Sequence, residues 1–325
     1  MSIKYGDDKI PYIDLGDNYK IRLEYEEISD KKTIDKAYKE LRETPELKCS
    51  ALKEFKEMIE GESDLIFPTE EPFMLTFLRP SKYYTKSAFQ KVQKYFKFKQ
   101  KHKKVCEQLV VDSVRNVFDD DLIKYMPLRD KHGRRILYNH CGKRWNSERV
   151  SIYDIFRAMQ LSLIASMCEP ATQVNGVCVI MDMEGLSLGQ IMHFTPSFAA
   201  MVLEWTQECI PVRLKNIFII NNSYIFNMLF AIFKPFISSK LRKRIHFINK
   251  NYNILTEQLG EHCLPKQLNG TLPIDYVDGK LLADFLKLFD KQFDLINLSG
   301  YNKNPEQRKF VEEGAKEALD HITQK

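Results

Sequence analysis

Four basic residues in the second half of the chain could bind phosphate groups. Arg213 and Lys215 are two positions apart at the start of an apolar run, so on an extended strand both side chains point to one face. Lys240 and Arg244 are four positions apart, the spacing that stacks two side chains on one side of a helix. We call these four residues the rim cations. Grouped cations attract anions, and the head group of an anionic lipid at a membrane is one such anion.

The segment between the two basic pairs, residues 224–233, is apolar at almost every position. A helix that is apolar all round must be covered on both sides. One interpretation is a buried core helix followed by a solvated basic helix. The other is a lid over a hydrophobic ligand, with the rim cations as its phosphate-binding edge. The residues alone leave both interpretations open.

Two acidic residues are candidates for a different chemistry. Asp182 and Glu184 follow a predicted strand, at the place where α/β enzymes often carry catalytic groups. They could act as acid and base, with His193 as a further candidate. The same pair before Gly185 is also typical of a cap on a turn. No nucleotide-binding glycine motif and no H-E-x-x-H is present, and no histidine or cysteine pair has metal-ligand spacing, so we expect no metal and no cofactor.

Length and composition describe a globular protein with a substantial core. The chain has 325 residues, of which 44% are hydrophobic and 29% charged. A net charge of +5 and a pI near 8.6 are too mild for a dedicated nucleic-acid binder. The lysine-rich run 86–104 is typical of a solvated helix face, and we expect no nucleic-acid partner.

The cysteines and the apolar segments indicate the compartment. Seven cysteines form no C-x-x-C pair, which predicts free thiols in a reducing environment. No secretory signal is visible, and no segment has the roughly 18 to 20 apolar residues that span a bilayer. We therefore expect a cytoplasmic protein without a transmembrane segment, associated with membranes only peripherally and reversibly.

The local patterns divide the chain into four parts. Residues 1–32 are polar and mixed and predict a partly ordered arm. Residues 33–115 show helical spacing, with a break at Pro45, so that the first third of the chain is predicted to be all-helical. Residues 116–275 alternate short β-rich runs with helical segments, which predicts a mostly parallel sheet with helices packed on it. Residues 276–325 predict a helical tail.

Several segments resemble the CRAL-TRIO lipid-transfer family, most closely its α-tocopherol transfer branch. In the family's order they cover about residues 35 to 275. The matching segments are Phe77-Leu78-Arg79-Pro80-Ser81-Lys82-Tyr83, Asp130 with Gly133-Arg134-Arg135-Ile136, Asp182-Met183-Glu184-Gly185-Leu186, Asn221 with Ile225-Phe226, Phe233-Lys234-Pro235-Phe236, Arg244-Ile245-His246, and Leu264-Pro265 with Gly270-Thr271-Leu272-Pro273.

The resemblance implies an α/β fold. An N-terminal all-helical module precedes a mostly parallel sheet, whose flanking helices enclose an apolar pocket with a helical lid. Matched position by position, the rim cations correspond to residues that hold phosphoinositide head groups. The implied pocket wall is Phe156, Met159, Leu163, Met181, Leu188, Phe194, Val202, Trp205, Val212 and Ile217, with Ile225, Phe226, Leu229 and Phe233 in the lid. Gln160, on the same helical stripe as Met159, is the polar candidate in this pocket.

The sequence therefore predicts a non-enzymatic carrier of one small hydrophobic ligand, such as a tocopherol, retinoid, carotenoid or other isoprenoid. Its partners would be that ligand and a phosphoinositide-containing membrane surface that promotes release. Met159 and Leu163 replace two serines of the tocopherol branch, and Leu268-Asn269 departs from the closing motif, so the pocket need not favour tocopherol. The alternatives are a phosphatidylinositol exchange or sensor module of the same fold, and an enzyme at Asp182 and Glu184.

Overall fold

The computed structural model describes residues 1–273, 277–302 and 304–323. The strands are β1 (Ser2–Tyr5), β2 (Pro11–Gly16), β3 (Tyr19–Arg22), β4 (Leu65–Ile66), β5 (Ile123–Tyr125), β6 (Arg135–His140), β7 (Val177–Asp182), β8 (Leu214–Ile220), β9 (Ile245–Asn249) and β10 (Gly300–Tyr301). The helices are α1 (Lys31–Leu41), α2 (Pro45–Glu60), α3 (Glu71–Leu78), α4 (Thr85–Lys101), α5 (Lys103–Cys106), α6 (Arg115–Asp119), α7 (Ile152–Met167), α8 (Pro170–Asn175), α9 (Leu188–Ile191), α10 (Pro196–Glu204), α11 (Tyr224–Phe233), α12 (Ser239–Arg242), α13 (Asn253–Leu259), α14 (Gly279–Lys287), α15 (Asp290–Leu298) and α16 (Pro305–Thr323).

A five-stranded sheet with the order β5-β6-β7-β8-β9 forms the centre of the molecule. The strands β6 to β9 are parallel, and β5 is an antiparallel edge strand on β6. Helices occur in each connection between the parallel strands, as parallel pairing requires. This mixed α/β architecture confirms the predicted fold class.

The two faces of the sheet are buried in different ways. On one face Cys178, Ile180 and Phe218 pack with Leu255 of α13 and with Leu264 of the closing segment. The side chains that alternate with them, such as Val179 and Ile217, face the helices α7, α10 and α11. Side chains alternate between faces along a strand, so the period-2 pattern of β7 and β8 predicts these two sets correctly.

The N-terminal arm was predicted wrongly. Residues 2–22 form a three-stranded antiparallel sheet, β1-β2-β3, and Ile13 and Ile21 from it are buried in the main core. Asp17 and Asn18 connect β2 to β3 with φ angles of 50° and 66°. Asp and Asn tolerate this left-handed region, which two-residue hairpin loops require. The first third of the chain is therefore not all-helical.

The helices predicted on both sides of Pro45 are present as α1 and α2. Asp30 caps α1 by accepting a hydrogen bond from the backbone N–H of Thr33 at 2.8 Å. Thr44 caps α2 in the same way, and Pro45 occupies the first turn, where its missing N–H costs nothing. The predicted domain boundary between residues 275 and 276 lies outside the described residues.

A buried ion-pair network joins the N-terminal segment to the central sheet. The Glu169 carboxylate is inaccessible to solvent and accepts hydrogen bonds from the Arg135 guanidinium, from Arg129 at 3.1 Å and from the Thr172 hydroxyl at 2.6 Å. It also accepts the backbone N–H of Glu24 at 3.1 Å. Burial alone would raise the pKa of Glu169, but the charges of Arg135 and Arg129 outweigh it and lower that pKa. The carboxylate therefore stays ionised and pairs with both arginines.

Candidate functional site

An apolar cavity of about 200 Å³ lies between the central sheet and the helices α7, α10 and α11. Nearly all of its wall is aliphatic, aromatic or sulfur-containing. The wall comprises Leu122, Asn139, His140, Cys141, Trp145, Ile152, Ile155, Phe156, Met159, Leu163, Val179, Met181, Met183, Phe194, Phe198, Val202, Leu203, Trp205, Thr206, Leu214, Ile217, Ile219, Phe226, Leu229, Phe230, Phe233, Ile237, Leu241 and Ile245.

Local sequence signals position the helices around the cavity. A reciprocal capping box between Ser151 and Asp154 begins α7. Thr195 caps α10 and Pro196 follows it in the first turn. After α10, residues 205–209 form a π-helical turn, which brings Trp205 and Thr206 onto the cavity wall. Such π-turns are rare and often occur at functional sites.

Most of the side chains predicted to contact a ligand are brought together in this wall. They are Phe156, Met159, Leu163, Met181, Phe194, Val202, Trp205, Ile217, Phe226, Leu229 and Phe233. Their role in ligand binding remains a prediction. The structure shows that they share one apolar space although they come from six different elements, including the π-helical turn, and the segment before α10.

Four side chains that were predicted to contact the ligand do not line the cavity. The Gln160 carboxamide donates to the Val105 carbonyl at 2.9 Å, so it points to α5 and not into the cavity. Leu188 is 55% exposed, because the four-residue helix α9 turns it outward. Val212 precedes β8 and packs against the main core. Ile225 packs in a small cluster around Met183.

The sequence analysis missed several residues of the wall. Asn139, His140 and Cys141 lie at the end of β6, and Trp145 lies in the loop that follows. The alternation of β6, with Ile136 and Tyr138 on the opposite face, was a signal that could have placed Asn139 on the cavity face. Nothing local to Trp145 indicates its position, since the loop places it there.

The helix α11 covers the cavity with one side only. Phe226, Leu229 and Phe233 face inward, whereas Tyr224 is 79% exposed and Met228 is also exposed. The expectation that this apolar helix is covered on both sides was therefore wrong. The short helix α9 contacts α11. Leu188 on α9 and Met192 directly after it are two further exposed apolar residues, the latter 84% exposed. We call Leu188, Met192, Tyr224 and Met228 the apolar patch.

Two of the rim cations are held by a carboxylate from the N-terminal half. Glu40 of α1 pairs with the Arg213 guanidinium and lies 3.4 Å from the Lys215 ammonium. Burial would raise the pKa of Glu40, but Arg213 and Lys215 lower it below its ordinary value. Burial and the charge of Arg213 lower the pKa of Lys215 to about 8. At this end of the rim, the Glu40 carboxylate is the anion that pairs with two closely spaced cations.

The other two rim cations do not stack on one helix as predicted. Lys240 is on α12, which ends at Arg242, so Arg244 lies beyond it in the turn before β9. The Arg244 guanidinium donates to the Leu214 carbonyl at 2.5 Å. The exposed Lys240 lies near Glu208, whose pKa is lowered chiefly by the hydrogen bond from Lys94 and to a smaller extent by the charge of Lys240. The structure thus places Arg244 with Arg213 and Lys215 around the start of β8, and Lys240 farther along the rim.

Next to Lys215, a wide polar cleft separates α1 from the start of β6. Its volume is about 730 Å³, and cations outnumber carboxylates on its walls. The walls comprise Lys31, Lys32, Asp35, Lys36, Lys39, Glu40, His132, Arg134 and Lys215. The positive surface predicted from the rim therefore extends onto the N-terminal helix α1.

The Asp182 carboxylate is held in a hydrogen-bond network that has a structural role. It accepts hydrogen bonds from the Tyr138 hydroxyl at 2.7 Å, from the Asn221 amide at 2.8 Å and from the backbone N–H of Glu184 at 3.0 Å. His193 is exposed and packs against the Trp145 ring. Asp182 therefore ties together the ends of β6, β7 and β8 and caps the turn after β7. Asp182 and Glu184 line one small polar pocket, whereas His193 does not line it.

Residues 185–189 fit the G-x-S-x-G pattern of serine hydrolases, but Ser187 is a helix cap. Its hydroxyl donates to the Gln190 side chain at 3.0 Å and accepts the Gln190 backbone N–H at 3.3 Å.

Cys178 and Cys209 are buried, and burial raises their pKa values to about 11 and about 12, so neither thiol is a ready nucleophile. Within residues 1–273, 277–302 and 304–323, no group of histidine, cysteine and acidic side chains could hold a metal ion.

No helix in the described part of the chain is both long and apolar enough to cross a bilayer. An apolar cavity under a helix with an exposed apolar face is the architecture of a protein that binds a hydrophobic molecule. Comparison with known proteins gives the class. Residues 120–270 match the CRAL/TRIO domain family.

The chain is similar to Clavesin-1 of Xenopus laevis, with 32% identity over 244 residues that cover 74% of this chain and 73% of the relative. It is also similar to Clavesin-2 of Homo sapiens, with 30% identity and 74% of each chain covered. A solved structure, that of Sfh5, aligns with a TM-score of 0.48 and 12% identity over 83% of this chain and 99% of that chain. On the sequence relatives, this protein belongs to the CRAL-TRIO lipid-transfer family, a family of lipid-binding proteins that are not enzymes.

Proposed function

We propose that this protein is an intracellular carrier that takes one small hydrophobic molecule, such as a tocopherol, retinoid, carotenoid or other isoprenoid, from one membrane to another. The observation that supports this most directly is the apolar cavity closed by α11. Burying a ligand that exposes about 400 Å² stabilises the complex by on the order of 10 kcal/mol before the costs of binding. Release into water alone is therefore rare, and a membrane has to accept the ligand.

The size of the cavity implies that α11 moves when a lipid binds. A dry apolar cavity of about 150 Å³ is known to hold a molecule of the size of benzene. The cavity of about 200 Å³ therefore holds a ring-sized group, and a longer tail needs more room. The helix α11 exposes the apolar side chains Tyr224 and Met228 on its outer face. Its outward movement would enlarge the cavity and open it to a membrane.

The nearly apolar wall favours this ligand class over a phosphatidylinositol held inside the cavity. A buried head group needs polar partners, and Gln160, the expected one, hydrogen-bonds to Val105 instead. The polar head group of a phosphoinositide fits the rim better than the cavity. We propose that the cations at the rim bind such a head group and promote release.

The apolar patch is proposed as the surface that enters the membrane. Lys234 and Arg242 line a shallow groove beside α11, so cations that attract anionic lipid flank the exposed apolar side chains. Replacing Met192 and Tyr224 together by aspartate should lower partition onto anionic vesicles at least tenfold, because each loses about 1.5 to 3 kcal/mol of apolar burial. Vesicle sedimentation measures this. Tyr5→Asp is the matched control, because Tyr5 is 62% exposed in the N-terminal sheet, and an equal loss in that variant would contradict the assignment.

The rim cations are proposed to act on release. Replacing Arg213, Lys215, Lys240 and Arg244 by glutamine should slow transfer to phosphoinositide-bearing vesicles several-fold and leave ligand binding nearly unchanged, because none of the four lines the cavity. Glu40→Gln should have the opposite effect, since it frees Arg213 and Lys215 from their internal anion. Transfer between donor and acceptor vesicles is the measurement. Lys309→Gln on the far helix α16 is the control, and equal loss of binding and transfer would argue against the rim.

The carrier function itself is tested on the purified full chain. Mass spectrometry of an organic extract should show one hydrophobic molecule in near-stoichiometric amount. The same molecule should move between vesicles faster in the presence of the protein. An extract free of lipid, together with no binding of prenyl compounds, would refute the proposal.

A further inference from the structure

One polar side chain in the apolar wall has no partner within the described residues. Asn139 is 2% exposed, and neither its side-chain oxygen nor its nitrogen makes a hydrogen bond there. A carboxamide offers two N–H donors and an oxygen with two lone pairs. Buried polar groups are nearly always paired, so an unpaired one needs an explanation.

The strand register places this side chain on the cavity face. Asn139 is the neighbour of Met181 across the parallel pair β6 and β7, and Met181 lies on the cavity wall. The adjacent Tyr138 packs in the cluster on the opposite face of the sheet. Because successive side chains of a strand alternate, the Asn139 carboxamide is directed to the cavity side.

The other polar groups of the wall are less informative. The Thr206 hydroxyl donates to the Val202 carbonyl at 2.7 Å, and the Trp145 indole donates to the Val150 carbonyl at 2.8 Å. The Trp205 indole N–H has no acceptor in the described chain, but this residue also borders a small separate void beside Gln160. Asn139 borders the ligand cavity and offers both a donor and an acceptor.

We infer that Asn139 is a specificity-determining residue, and that the ligand is a lipid with one hydrogen-bonding oxygen, a hydroxyl or a carbonyl, placed at the end of β6. This inference rests on the proposed carrier function and narrows it. A pure hydrocarbon would leave the carboxamide unpaired, whereas a hydroxyl both donates to its oxygen and accepts from its nitrogen. The resulting preference is expected to be about tenfold or more.

The two tryptophans of the chain, Trp145 and Trp205, both line the cavity, so their fluorescence reports binding to the unmodified protein. The probes are farnesol and the hydrocarbon of the same carbon skeleton without oxygen. The wild type should bind farnesol at least tenfold more tightly. Asn139→Leu, which has a similar shape and no polar group, should lose this preference or favour the hydrocarbon, because a hydroxyl buried without a partner is costly. Its thermal unfolding should show that it remains folded.

Two further variants keep the test decisive. Asn139→Thr replaces the carboxamide by a hydroxyl, which can also donate and accept, and suits a strand, so it should keep part of the preference. Ile180→Val changes a buried residue on the sheet face opposite the cavity and should keep all of it. Equal binding of both probes by the wild type, or an unchanged preference in Asn139→Leu, would overturn the inference and leave the carrier function standing. Failure of the wild type to bind either probe would count against the carrier function itself.

Discussion

Replacing Glu169 by glutamine should lower the free energy of unfolding by about 3 to 5 kcal/mol, the range observed when one partner of a buried ion pair is removed. Glutamine keeps the shape but removes the buried carboxylate that pairs directly with Arg135, and leaves that guanidinium only the more distant and half-exposed Glu24 at 3.8 Å. Denaturant unfolding at neutral pH measures the change. Glu184→Gln is the matched control, because Glu184 pairs with Lys143 on the surface at 2.8 Å. That pair is exposed, and its loss should cost less than about 1 kcal/mol.

The same carboxylate predicts a pH dependence. The pKa of Glu169 is lower in the folded chain than in the unfolded chain. Its contribution is therefore fully present above the unfolded pKa of about 4.3 and is lost as the pH falls through the folded value. The wild type should lose stability over this acidic range more steeply than Glu169→Gln. If the free energies of unfolding of the two proteins fell equally with falling pH, the carboxylate would not be the source of the acid sensitivity.

Replacing Leu163 by tryptophan should reduce the affinity for a hydrophobic ligand at least tenfold. Leu163 is buried on α7 and faces the cavity, so the larger indole occupies space that a ligand needs. Excluding about 60 to 100 Å² of ligand surface costs about 1.5 to 2.5 kcal/mol, which corresponds to at least a tenfold change. Tryptophan fluorescence is altered by the new residue, so displacement of a radiolabelled prenyl alcohol is the better measurement.

Leu163→Met is the control for this substitution, because it conserves volume and costs little stability. Its ligand affinity should stay within about threefold of the wild type. If Leu163→Trp is folded and binds as tightly as the wild type, the ligand does not occupy this cavity. The ligand would then bind elsewhere, near the apolar patch or near the rim cations.

Patterns along single elements predicted much of the fold, and the family resemblance implied the cavity. The alternation in β7 and β8 indicated which side chains share a face, and Phe156, Met159 and Leu163, which the resemblance placed in the pocket, share one stripe of α7. These predictions succeed because an element that packs on one side shows its period in the sequence. The same reasoning fails for Gln160, which lies on the stripe of α7 but at its edge, where α5 supplies a hydrogen-bond acceptor.

Features that depend on contacts between distant segments could not be predicted. Glu40 and Arg213 are separated by 173 positions, and neither sequence neighbourhood indicates the pair. The family resemblance placed Leu188 in the pocket, but its exposure depends on how α9 meets α11. The N-terminal sheet was missed because its strands are short and rich in polar residues, although the Asp17-Asn18 turn between two alternating runs was a usable signal.

The tertiary contacts of the first strands determine when they can fold during synthesis. The sheet of β1 to β3 packs against α14, and the backbone of Glu24 pairs with a side chain 145 positions later. These strands are thus synthesised well before the segments with which they pack. Contacts of such long range slow folding and leave strand edges exposed for longer, so nascent chains truncated before α14 should be unusually dependent on chaperones.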